Sequence, residues 1–357
     1  MKIALVPIEP ISERYSTQWT KMFIDFFDSN GVDYVTIDPL RDGDKGKIKD
    51  GEFLDVIHTH ISKFHQLQNI CEMIKLGRVA DDWYFLFHDL WFPGIEALAY
   101  IRDAMGLKFK ITGCLHAGTW DEYDFIVRKG MEKWALDIEN GWLNMFDLVF
   151  VATQFHKSLI DATETGTSKK IKITGFPIAP RTFYPPYHMK ENIVVFPHRL
   201  APEKQPEKFD IVAKELKEEF PEWDFIRTKD HWGGDKEKYY ELLEKSKIAV
   251  SCALQETWGI AMQEAVFAGC LPIMPNRLSY PEMYALTFLY DDQPDSLKDK
   301  IRYFIQLHGE PNALGTVRTN VLRPNAYQLM NNGRRAIPNM LEEIERHAYS
   351  CKTTEQG

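Results

Sequence analysis

Two doubly wound parallel sheets, an α/β architecture, are the fold class that the sequence predicts. Three observations predict it. Short apolar runs alternate with helical patterns from Lys2 to Thr174, as in a parallel sheet covered by helices. A Pro-rich interval, Gly175-Phe176-Pro177 and then Pro180 to Pro186, interrupts all periodicity, and the alternation resumes at Asn192. The length, 357 residues, suits two domains. The expected layout is a first domain over 1–176, a linker over 177–191, a second domain over 192–324 and a helical tail over 325–357.

In order, Lys2–Val6 reads as a buried strand. Ser16–Ser29 is helical, with Trp19, Met22, Phe23, Phe26 and Phe27 on one face. Asp33–Ile37 is strand. Asp38–Gly51 is a charged loop whose Asp42-Gly43-Asp44 has the D-x-D form of a metal motif, although Gly43, Gly46 and Gly51 favour a surface loop. Phe53–Ile57 is the next strand, ending in His58-Thr59-His60, and Ile61–Leu76 is helical. Trp83–Phe87 is a strand ending in His88-Asp89. Pro93 opens a helix to about Met105, and Phe109–Leu115 is a strand ending in His116-Ala117-Gly118-Thr119. After a long helical region, Asp147–Ala152 and Lys169–Thr174 complete the first set of strands.

The second set opens with Asn192–Pro197. Phe209, Val212, Ala213, Leu216 and Phe220 lie at helical spacing. Asp224–Arg227, Ile248–Cys252, Leu271–Met274 and Thr287–Tyr290 are the following strands. Thr228–Asp235 is a polar loop with His231, Trp232 and a Gly pair. Asn325 to Tyr349 is helical, with a break at Pro338.

Composition removes several function classes. The chain is 44% hydrophobic and 27% charged, so ordinary cores form. A net charge of −9 argues against a broadly basic nucleic-acid coat, though not against a local basic groove. Five scattered cysteines form neither a metal-type pair nor a disulfide framework, which fits a reducing cytoplasm. No apolar run approaches the roughly 18–20 residues of a membrane span. The first ten residues read as a strand, not as a signal peptide.

The chemistry concentrates in Val250 to Ile273, VSCALQETWGIAMQEAVFAGCLPI. Strand, loop, helix and strand follow one another there as one βαβ unit. Glu256 sits in the loop and Glu264 in the helix. A loop at the carboxyl end of a parallel strand is where such folds bind ligands, and a helix start aims its N–H groups at an anion. Two carboxylates suit hydroxyls rather than a phosphate. A ligand with both, such as a nucleotide sugar, suits the arrangement.

The E-x7-E spacing, Gly259, the Glu264-Ala265 pair and the closing Gly269-x-x-Pro272 resemble the donor-site signature of retaining glycosyltransferases of the GT-B fold, family 4 type. That resemblance implies two Rossmann-like domains facing across a donor cleft. It implies a nucleotide-diphosphate sugar, UDP- or GDP-linked, as donor, and no obligatory metal. By the same resemblance Glu256 and His116 are catalytic. Glu256 faces the donor sugar and His116, in KITGCLHAGTWDEYD, reaches it from the first domain. Glu264 binds the ribose hydroxyls, and Trp258 and Gly259 belong to the donor site. Arg199 and Lys204, in FPHRLAPEKQPEKF, grip the diphosphate, where negative charge grows as the sugar–oxygen bond breaks. The tail crosses back to the first domain. Two departures stand out. Ala117 follows His116, with Gly118 one later, and the first loop, Pro7 to Glu13, lacks the family's glycine pair.

DVIHTH and FLFHDLW both resemble the family's D-V-V-H-x-H strand, so His58, His60 and His88 compete for one place. His88, Asp89 and Trp91 are placed on the acceptor side. Asp89, Trp91 and Phe92 serve equally well as core packing and a helix cap. The segments PHR…K-x-P-E-x-F, ETWGIAMQEAVFAGCLPI and P-x-x-L-x-YPE, within Val194–Glu282, resemble the transferases that mannosylate queuosine in tRNA. The first half matches that subgroup poorly. Phage enzymes that glycosylate hydroxymethylated DNA bases share the acceptor class. The expected acceptor is therefore a hydroxylated nucleobase in DNA or tRNA, with host cytoplasm as location if the chain is phage-encoded. The alternatives are a saccharide or small-metabolite acceptor, or a non-catalytic nucleotide-sugar-binding protein.

Overall fold

The computed structural model describes residues 1–9, 15–39, 54–163 and 166–355. Asp42 to Asp44, Phe53 and the stretch 10–13 of the first loop lie outside the described residues. The chain divides into two compact units, Met1–Pro177 with Arg335–Gly357, and Ile178–Arg334.

The first unit is built on β1 (Lys2–Val6), β2 (Tyr34–Thr36), β3 (Trp83–Phe87), β4 (Lys110–Cys114), β5 (Leu148–Val151) and β6 (Ile171–Ile173). Their spatial order is β2-β1-β3-β4-β5-β6, and the paired neighbours are parallel. Every residue of β3, WYFLF, is buried, as a strand covered on both faces requires. The helix Ser16–Asn30 buries Trp19, Phe23 and Phe27. Of the five apolar positions on its expected face, these three point to the core.

One strand was misread. Residues 56 and 57 open a helix, Val56–Lys75, instead of closing a strand. Asp55 is the reason, since its carboxylate accepts from His58 N at 3.0 Å and caps the first turn. His58 and His60 therefore sit in the first turns of a helix. The amphipathic pattern of that helix is inverted near its start. Thr59, Ser62, Lys63 and Gln66 are buried, whereas Ile57, Ile61 and Phe64 are 70%, 49% and 53% exposed. The buried polar groups serve the ends of the sheet. Gln66 donates to the carbonyls of Pro7 and Ile37, Thr59 donates to Glu9 at 2.7 Å, and Lys63 pairs with Asp89 at 3.0 Å. Loop carbonyls and carboxylates at the carboxyl edge demand such partners.

The second unit holds β7 (Glu191–Phe196), β8 (Asp224–Arg227), β9 (Ser246–Val250), β10 (Leu271–Pro275) and β11 (Leu289–Tyr290). They lie in the order β11-β10-β9-β7-β8, again parallel. The chain leaves β7 to one side for β8 and returns to the other side for β9. The reversal therefore falls between β7 and β9. In a doubly wound sheet that crevice, at the carboxyl ends of the two strands, is the ligand position.

Three further segments depart from expectation. The Pro-rich stretch packs on the second unit: Tyr184 N donates to Phe267 O at 2.7 Å, and the Phe183 ring lies 5.0 Å from that of Tyr327. Thr228–Trp232 is a short helix rather than a loop. Pro338 sits inside the helix Arg323–Glu355 instead of breaking it. Ile337 and Met340 are buried beside it, and this packing outweighs the missing N–H.

Candidate functional site

The loops after β7 and β9 in the second unit carry five of the residues singled out in the sequence, Arg199, Lys204, Glu256, Trp258 and Gly259. They are tied to each other by Leu254 N, which donates to Glu203 O at 2.8 Å. Lys204 is buried and places Nζ 3.2 Å from Glu256 Oε2. The same ammonium donates to the carbonyl of Gln255. The other oxygen of Glu256, Oε1, accepts from the backbone N–H of Thr257, Trp258 and Gly259 at 3.2, 3.3 and 2.8 Å. The N–H groups at the start of the helix Ile260–Phe267 thus converge on Glu256 itself. A carboxylate is well placed at a helix N-terminus. Burial opposes its charge, but the Lys204 ammonium and the Gly259 N–H outweigh that and hold the carboxyl down at about 2.

Gly259 makes this turn possible. Its φ is +65°, and a Cβ there would stand 3.4 Å from Cε1 of Tyr280. Tyr280 is fixed in turn by Ser251, hydroxyl to hydroxyl at 2.8 Å. Trp258 is buried, and its carbonyl accepts from Gln263 Nε2 at 2.7 Å.

Arg199 is paired with Glu203, four residues on. Glu203 is almost fully enclosed while Arg199 is about a third exposed. The carboxylate thus anchors one edge of a guanidinium that reaches the surface. Burial works against the charge on Glu203, and Arg199 more than offsets it, holding the carboxyl below its usual range. His198, beside these groups, is buried, and burial pushes its imidazole down to about 3, so it is neutral at pH 7.

Glu264 lies one helical turn further on and is buried. Its oxygens are each taken by a tyrosine: Tyr239 OH donates to Oε2 and Tyr240 OH to Oε1, both at 2.8 Å. Lys236 Nζ stands 3.5 Å from Oε1. Sequence reading missed this trio. The available signal was the Lys236-x-x-Tyr239-Tyr240 spacing on one helix, which periodicity alone assigns to packing.

In the first unit, β3 and β4 end side by side and bring His88 and His116 together. The Nε2–H of His116 donates to the His88 carbonyl at 2.7 Å, which leaves Nδ1 to accept from Tyr15 OH at 3.3 Å. The imidazole packs against Trp19 and Phe176, ring centroids 5.0 and 4.9 Å away. His88, placed on the acceptor side by the sequence, is instead fully enclosed. Its ring sits 4.5 Å from that of Phe23, and burial pushes it down to about 3. Asp89 is the ion-pair partner of Lys63 and accepts from Trp91 N at 3.1 Å. Trp91 Nε1 donates to the buried Glu139 at 2.6 Å. Among the described residues, no group of three or more His, Cys, Asp or Glu gathers as for a metal ion. No helix among them is long and apolar enough to cross a membrane.

The architecture matches GT-B glycosyltransferases. Sucrose-phosphate synthase from Thermosynechococcus elongatus superposes with a TM-score of 0.67 at 13% identity, covering 98% of this chain and 100% of that one. The UDP-forming α,α-trehalose-phosphate synthase from Burkholderia vietnamiensis gives 0.64 at 11% identity, covering 97% and 98%. HepE from Anabaena, solved with UDP and glucose, gives 0.60 at 10% identity, covering 98% and 100%. At these identities the likeness is one of fold. In sequence, the chain is 40% identical over 73 residues to the tRNA-queuosine α-mannosyltransferase of Drosophila melanogaster. That match takes in 20% of this chain and 19% of the relative. No known family profile matches the chain.

Proposed function

We propose that this chain is a glycosyltransferase that moves a sugar from a nucleotide-diphosphate sugar to a hydroxyl, with retention of configuration. The observation that carries the reading is the position of Lys204, Arg199 and Glu256 on the two loops of the β7/β9 switch point. There a doubly wound sheet receives its nucleotide. In this reading Arg199 offers a planar fork and Lys204 a point charge to the diphosphate. Both interactions strengthen as negative charge develops on the leaving group, which lowers the barrier. Glu256 faces the sugar and Glu264 the ribose. A hydroxylated nucleobase, in tRNA or DNA, is the acceptor class that the 40% match to a tRNA-queuosine α-mannosyltransferase supports.

The test is a panel of UDP- and GDP-sugars assayed on modified and unmodified tRNA and DNA, with the product's anomeric configuration read by NMR. Transfer to a modified base with retention is expected. Transfer only to a saccharide or small metabolite overturns the acceptor. Donor binding without transfer to any acceptor overturns the enzyme.

A further inference from the structure

Tyr239 and Tyr240 are neighbours on the helix Lys236–Lys245, and both reach Glu264. Side chains of adjacent helical residues diverge, so it is unusual for two such hydroxyls to converge on one carboxylate. They do not compete for an oxygen, since each donates to a different one at 2.8 Å. Lys236, one turn earlier, lies over both rings at 4.8 and 5.2 Å and 3.5 Å from Oε1. Burial and the adjacent Glu264 charge push the Tyr239 hydroxyl well above its ordinary range, so it remains a donor. A shallow recess, walled in part by Arg181, Glu244 and Phe267, opens on Tyr240 and Glu264.

An ionised carboxylate has about four acceptor positions, two on each oxygen. The tyrosines occupy one on each. A position remains on Oε2, and Lys236, 3.5 Å from Oε1, stands beyond ordinary hydrogen-bond length and leaves room for a donor there too, so the two oxygens suit a ligand with a pair of adjacent donors. A vicinal diol is such a ligand, and a lone hydroxyl is not. We infer that Tyr239 and Tyr240 are positioning residues that orient Glu264 as a diol receptor, so that the site selects a ribonucleotide over its 2′- or 3′-deoxy counterpart. This rests on the reading of Glu264 as the ribose partner and assigns the selection to the two tyrosines that hold it.

Calorimetry with UDP and GDP, and with their 2′-deoxy and 3′-deoxy analogues, tests it on the full chain. The parent should bind the ribonucleotide more tightly than either analogue, and Glu264→Gln should lose that preference. Tyr240→Phe and Tyr239→Phe, each keeping the ring, should weaken the ribonucleotide about fivefold to tenfold and the deoxy analogues much less, so the preference collapses. In turnover the donor KM should rise with kcat nearly unchanged. A merely structural role would weaken all three nucleotides equally. Tyr240 is only half-buried, so its variant stands even if Tyr239→Phe misfolds. If Glu264→Gln loses the preference while both tyrosine variants keep it, the inference is overturned and the ribose reading stands. If the parent shows no preference, or binds none of these nucleotides, both are overturned.

Discussion

Lys204 and Glu256 form an ion pair, Nζ to Oε2 at 3.2 Å, between the two loops of the β7/β9 switch point. Both side chains are largely withdrawn from solvent, and each also bonds the backbone of the loop after β9. The two groups that the sequence assigned to separate parts of a donor thus organise one another.

Removing one partner should therefore hurt more than removing both. Lys204→Met leaves the Glu256 carboxylate buried beside a thioether, and breaking such a pair costs roughly 3–5 kcal/mol. The urea midpoint should fall clearly, and Lys204→Met combined with Glu256→Gln should recover part of the loss. Equal losses in the single and double variants would show that Lys204 contributes through packing of its stem instead.

The same pair sets an acid sensitivity. The Glu256 carboxyl is lowered from 4.5 to about 2 in the fold. Because the folded value is the depressed one, its contribution to stability is complete above about 4.5 and is lost as pH falls towards about 2. The shift corresponds to roughly 3 kcal/mol. Urea unfolding at several pH values across that window should show the parent losing stability more steeply than Glu256→Gln. Parallel curves would remove the carboxylate as the cause.

Gly259 and Gly31 separate backbone strain from site geometry. Both have φ of +65°, but a Cβ on Gly31 meets nothing within 4 Å, whereas one on Gly259 meets Tyr280. An L-residue in that conformation costs about 1–2 kcal/mol in either place. Gly31→Ala should lose stability and keep its turnover. Gly259→Ala should lose both, since relieving the strain at φ +65° turns the residue's N–H away from Glu256. Normal turnover in a folded Gly259→Ala would show that the helix start does not shape the site.

With Arg199 and Lys204 as the cations for the diphosphate, transfer should survive EDTA. Rates measured with and without chelator decide this. Abolition by EDTA with rescue by Mg²⁺ or Mn²⁺ would give Asp42 and Asp44, or other acids, a role in place of the two cations.

The sequence by itself determined the strands and picked out the loops after β7 and β9 that carry the candidate site. All eleven strands of the described residues were legible from apolar runs alternating with helical patterns, because strands buried on both faces are continuously apolar. One further strand was expected, at Phe53–Ile57, and there an Asp55 cap starts a helix instead. Glu256, Arg199 and Lys204 stood out because strand-end loops in a parallel sheet are where ligands bind, and Glu264 by its spacing from Glu256 on the helix that follows, and both signals depend only on local order along the chain. What each group bonds was decided by the tertiary structure alone. Lys204 and Glu256 are 52 residues apart, Tyr239 and Glu264 are 25 apart, and no periodicity relates such positions. The enclosure of His88 likewise depends on a helix, Ser16–Asn30, that lies far from it in sequence and brings Phe23 over its ring. A polar residue at a strand end looks the same in sequence whether a helix covers it or leaves it open. Only the packing of distant elements, which sets burial and hydrogen-bond partners, tells the two apart.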